Sequence, residues 1–178
     1  MRKFAIAAAA WLGSSATAQD MPQTSPGRFH CAGEPGKNYN QEIVPLKLGE
    51  EMRIAFRMLK ENDQDPKHPP TASVLFHTSD GDTAVSVGQA LGDRYHMYAQ
   101  VRTPRTTQWI YEYRLTHDWI ILKLKLDKRG LLTVRSSEST PRFEVGSTDA
   151  TSSHLNCHSG DWEIDVWPRS YVLPRPTL

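Results

Sequence analysis

Ile120-Ile121-Leu122-Lys123-Leu124-Lys125-Leu126, then Asp127-Lys128-Arg129-Gly130, then Leu131-Leu132-Thr133-Val134: this stretch decides the fold class. In an extended chain successive side chains point to opposite faces, so Ile120, Leu122, Leu124 and Leu126 form one apolar face and Trp119, Ile121, Lys123 and Lys125 the other. A helix would scatter the same leucines around its circumference. Asp127 to Gly130 reads as a hairpin turn, after which Leu132 and Val134 resume the apolar face. A hairpin that is apolar on one side only must bury that side against a second layer.

The same period of two recurs along the chain. Met52, Ile54, Phe56 and Met58 alternate with Arg53, Ala55 and Arg57; Ala72, Val74 and Phe76 alternate with Ser73 and His77. Val85 and Val87, then Tyr95, Met97, Ala99 and Val101, continue it. Further short strands are expected at Glu42 to Leu48, Trp109 to Arg114, Arg142 to Val145, Leu155 to His158 and Trp162 to Trp167, separated by Gly49, Pro66 to Pro70, Asp80-Gly81-Asp82, Gly92-Asp93, Pro104 and Gly160-Asp161. About ten strands at this spacing predict an all-β fold, a single antiparallel β-sandwich of jelly-roll type.

The N-terminus reads as a secretory signal peptide over residues 1–18: Arg2 and Lys3 are the positive segment, Phe4 to Leu12 the apolar one, and Ala16-Thr17-Ala18 the small residues before cleavage after Ala18. That places the protein outside the cytoplasm, secreted or periplasmic. No segment is long and uncharged enough to span a membrane as a helix. Residues 19–28 are expected as a flexible leader, 29–167 as the sandwich domain and 168–178, with Pro168, Pro174 and Pro176, as a Pro-rich tail.

In an oxidising compartment the two cysteines, Cys31 and Cys157, are expected to form a disulfide joining the first and last strands. His30 and His158 adjoin them, but neighbours on a strand point to opposite faces, which opposes a shared metal ion. His154, Asn156 and His158 could share a face and chelate, yet no recognised metal motif contains them, so neither a metal nor a cofactor is expected. Without Arg2 and Lys3 the 21 basic and 20 acidic residues leave a near-neutral mature chain with its cations scattered in sequence, which argues against a nucleic-acid partner.

Two constellations could carry function. Trp109, Tyr111 and Tyr113 alternate with Ile110, Glu112 and Arg114, and Tyr98 and His96 would extend an aromatic platform if their strands pair; Trp119 is a further candidate. Aromatic rings on a sheet suit the faces of sugars, and the same pattern is that of a core strand. In Asp161-Trp162-Glu163-Ile164-Asp165-Val166-Trp167 three carboxylates share a strand face, at a separation within reach of a retaining glycosidase's carboxyl pair. The bland alternative is a terminal strand with Trp162, Ile164 and Val166 packed inward, its acids solvated or facing Lys123 and Lys125 and guarding an edge.

The run from Asp118 to Arg135 resembles the strand pairs of concanavalin A-like jelly rolls such as laminin-G-type and galectin-type domains. Glu163-Ile164-Asp165 is similar to the Glu-x-Asp core of family 16 glycoside hydrolases, which implies Glu163 as nucleophile and Asp165 as assisting residue. Trp167 stands where that family has its acid/base Glu. The chain also has the look of small exported proteins of Gram-negative bacteria. The expected role is a non-enzymatic binding or structural module with a glycan as leading ligand; the alternatives are a minimal glycosidase using Glu163 and Asp165, and a module docking on an envelope protein.

Overall fold

The computed structural model describes residues 19–20, 23–25, 27–60, 69–78, 81–90, 93–114, 119–136, 142–144 and 151–168. Residues 1–18, expected as a signal peptide, residues 66–68 of the expected proline loop and residues 169–178 of the expected tail lie outside them. Every regular element among the described residues is a strand: β1 (Gln19–Asp20), β2 (Gln23–Ser25), β3 (Arg28–Ile43), β4 (Glu51–Lys60), β5 (Thr71–Thr78), β6 (Gly81–Ala90), β7 (Asp93–Arg102), β8 (Thr107–Arg114), β9 (Ile120–Leu126), β10 (Leu131–Arg135), β11 (Arg142–Glu144) and β12 (Ser152–Trp167).

The expected hairpin is β9–β10, with Leu126 opposite Leu132 and Leu124 opposite Val134. Asp127 makes the turn: its Oδ1 accepts from the Arg129 N–H at 2.7 Å and the Leu131 N–H at 3.0 Å. These two donors hold its carboxyl below the ordinary carboxylate range. On β9 alternation is complete, Ile120, Leu122, Leu124 and Leu126 being buried while Ile121, Lys123 and Lys125 are exposed.

The strands form one continuous hydrogen-bonded sheet, in the order β11-β10-β9-β4-β12-β5-β6-β7-β8, with β3 beside β12. Two long strands turn it into two layers. The first part of β12, Ser152–His158, pairs with β5, and the last, Asp161–Trp167, with β4. Strand β3 follows it antiparallel through both parts. At the crossover Ser159 and Gly160 adopt φ of 55° and 73°, and β3 residues 34–37 have only Ser159 opposite them. A bulge of this kind lets a strand leave one sheet and enter the next. One layer is therefore β3-β12-β5-β6-β7-β8, the other β3-β12-β4-β9-β10-β11, and their apolar faces share one core.

Several expectations change here. Leu155–His158 and Trp162–Trp167, expected as two strands, are one, because Gly160 bends the ladder instead of ending it. Glu42–Leu48 is the end of β3 plus a loop. Segment 19–28, expected as a flexible leader, supplies β1, β2 and the first residue of β3, since β3 has a free side for them to pair with. Far from being a terminal edge, β12 is flanked on both sides over most of its length.

Cys31 and Cys157 are disulfide-bonded, buried, and 126 residues apart in sequence. Cys31 lies opposite Trp162 in one layer, and Cys157 opposite Ala72 in the other. The bond thus ties the two layers through the core, across the bend of the strand pair.

Candidate functional site

Two central register rows on the outward face of the β3-β12-β5-β6-β7-β8 layer are built mostly of amide and hydroxyl residues, while the rows beside them hold Glu42, His154, His77, Asp82 and Arg102. Directly paired residues share a face, and one register row runs Asn40, Asn156, Ser73, Ser86, Gln100, Trp109 across all six strands. The next row runs Asn38, His158, Thr71, Gly88, Tyr98. Gly88 is required there: a Cβ on it would stand 2.8 Å from the Tyr98 hydroxyl. The tyrosine crosses the glycine to Thr71, whose own hydroxyl donates to the Pro69 carbonyl at 3.1 Å. Burial pushes the Tyr98 hydroxyl above its ordinary pKa.

Trp109 packs edge-on against Tyr98, with ring centroids 4.8 Å apart, and is 56% exposed. Tyr98 and Trp109 are therefore brought together as the sequence suggested. Tyr111 and Tyr113 are separated from them by a register shift: Trp109 lies opposite Gln100, but Tyr111 and Tyr113 lie opposite the buried Ala99 and Met97. Ile110 is the extra, buried residue at this shift, so strict alternation does not run through β8. The side chains of His96, Tyr111 and Tyr113 lie outside the described residues.

The third row of this face contains His154, whose ring meets that of His77 at 5.1 Å, and His77 Nδ1 is 2.7 Å from Asp82 Oδ1. Among the described residues no group of three or more His, Cys, Asp or Glu side chains is placed to hold a metal ion.

The three carboxylates of β12 lie on the outward face of the other layer. Trp162, Ile164 and Val166 are fully buried on the core side, as expected. The acids are not paired with Lys123 and Lys125, because β4 intervenes and puts β9 two strand spacings, about 10 Å, away. Their partners come from β3 and β4. Arg28 Nη2 donates to the buried Asp165 at 3.0 Å, Arg57 donates to Glu163 Oε2 through Nε at 3.0 Å and also through Nη2, and His30 Nε2 lies 2.6 Å from Asp161. Trp119 is half-buried under both guanidinium groups, whose central carbons are 4.8 Å (Arg57) and 5.4 Å (Arg28) from its ring centroid. Arg53 lies 4.9 Å over Trp167 in the same way.

Sequence reasoning missed the polar row beside Trp109 and the cations that hold the acids. The residues were visible as the non-core positions of each strand, but which strands are neighbours was not.

No family model and no curated protein matches this chain. Solved structures do. A putative β-glucanase from Mycobacterium abscessus is similar at TM-score 0.50 and 9% identity, over 79% of this chain and 74% of that one. A Bacillus licheniformis β-glucanase gives TM-score 0.49 and 9% identity over 82% and 79%, and a congerin II variant 0.43 and 13% over 73% and 99%. The chain has the fold of a jelly-roll β-sandwich, similar at low sequence identity to concanavalin A-like domains.

Proposed function

We propose that this protein is a non-enzymatic glycan-binding module, secreted or periplasmic after removal of residues 1–18, with residues 29–167 as its binding domain and 168–178 as a tail. The observation that carries the reading is Trp109: a large ring more than half exposed, braced by Tyr98, at the end of a row of amide and hydroxyl side chains. A sugar offers the complementary pair of surfaces, an apolar ring face for the indole and hydroxyls for the half-buried Gln100 and Ser73. The putative β-glucanase of similar fold favours a glycan-related role.

The carboxylates favour binding over hydrolysis. Glu163 is engaged by Arg57 and Asp165 by Arg28, and by the resemblance to family 16 glycoside hydrolases Trp167 stands where their proton donor would be, a component worth about 10²–10⁴-fold in rate. A glycan array with the Trp109→Ala variant tests the proposal. Binding should weaken roughly ten- to thirty-fold, as for an aromatic anchor that its ligand covers, with the thermal midpoint unchanged. Silence of the parent protein on the array, or a turnover that disappears in Glu163→Gln, overturns it.

A further inference from the structure

The outward face of the β4-β9 layer divides into two halves. In one, Arg28, Arg57 and His30 are each matched by a carboxylate of β12. In the other, register aligns Trp167 of β12, Arg53 of β4, Lys123 of β9 and Arg135 of β10 in a single row. Three cations are thus consecutive cross-strand neighbours, one strand spacing of about 4.8 Å apart. All three are exposed, and none forms an ion pair with a described residue. The adjoining row adds Lys125 opposite Glu51.

Like charges directly opposite one another destabilise a strand pair, and a single acid in place of Lys123 would relieve both contacts. The same face shows that this chain does match cations with acids elsewhere. Stacking on Trp167 limits the directions open to the Arg53 guanidinium, so the row is partly organised before anything binds.

We propose that the row Arg53, Lys123, Arg135 binds an acidic polysaccharide, a chain of carboxylate-bearing sugars laid across the strands, at a site separate from the Trp109 platform on the opposite layer. Charge complementarity selects a polyanion. The cation repeat is close to the length of one pyranose unit, so successive uronates can each meet one cation, and Trp167 at the end of the row offers a ring to a sugar face. A row of three cations on a near-neutral chain is a short footprint for a nucleic acid.

The test is titration of the purified mature protein with polygalacturonate, alongside neutral dextran, single-stranded DNA and phosphatidylglycerol vesicles. Polygalacturonate should bind, weaken about tenfold between about 50 and 200 mM salt through counterion release, and lose affinity about tenfold or more in Lys123→Glu. That variant should melt no lower than the parent, since its carboxylate lies between two arginines; Arg135→Gln provides a second loss of charge without reversal. Trp109→Ala should leave polygalacturonate binding intact, which separates this site from the neutral-glycan platform. Equal affinity in Lys123→Glu and Arg135→Gln, absence of polygalacturonate binding, or a preference for DNA or vesicles overturns the proposal.

Discussion

His154 is half-buried on β12 with the His77 ring against it, Asp82 hydrogen-bonded to His77, and Glu42 opposite it in register on β3. Burial and the neighbouring imidazole push its pKa below the ordinary 6.5, and Glu42 opposes them. The folded state therefore holds the imidazole neutral at a pH where the unfolded chain has begun to protonate it. The unfolded state then binds more protons, so stability present above about pH 6.5 is lost as pH falls toward the depressed folded value. Thermal melts between about pH 7.5 and pH 5.5 should show a falling midpoint, and His154→Gln should flatten that dependence. A dependence unchanged in the variant assigns the effect to another group. At this scale the sequence disclosed the residue types, and the environment that tunes them comes from β3, β5 and β6, distant in sequence.

β12 is a sixteen-residue strand only because its middle can bend. Gly160 has φ of 73°, and a Cβ there would meet Pro70 Cβ at 2.7 Å. Next to it, the Ser159 carbonyl accepts from Trp162 Nε1 at 3.1 Å, which satisfies the polar atom of the largest fully buried side chain. Gly160→Ala should cost about 1–3 kcal/mol from the left-handed backbone alone. In urea the midpoint should fall with the slope unchanged, whereas a midpoint equal to the parent's means the bulge relaxes without loss. The sequence marked this glycine as a break between two strands. Local chemistry could not distinguish a terminating glycine from a bending one, because the difference lies in the ladders that β3, β4 and β5 provide on either side. On β8 the bulge at Ile110 has the same origin: period-two alternation runs unbroken through the sequence, and only the register with β7 reveals the extra residue.

For the whole molecule, the Cys31–Cys157 bond joins the layers at the point where their shared strands part. Closing a loop of 126 residues should stabilise the fold by about 2–5 kcal/mol, chiefly by restricting the unfolded chain. Replacing both cysteines by serine should lower the denaturation midpoint accordingly, and an unaltered midpoint would show that the strand pair alone holds the layers. Period-two alternation, dense turn signals and two cysteines determined from sequence that the chain is all-β, which side of β4, β5 and β9 is dry, and which thiols pair, since these depend on local geometry and on a count of two. What only the tertiary structure decided is adjacency. Strand order and register place Arg28 and Arg57 against the carboxylates of β12, Tyr98 against Trp109, and Arg53, Lys123 and Arg135 in one row. No local pattern encodes these, because Arg28 and Arg57 lie 137 and 106 positions from their carboxylates, and even the hairpin neighbours Tyr98 and Trp109, or Lys123 and Arg135, meet only in the register that the closed core fixes.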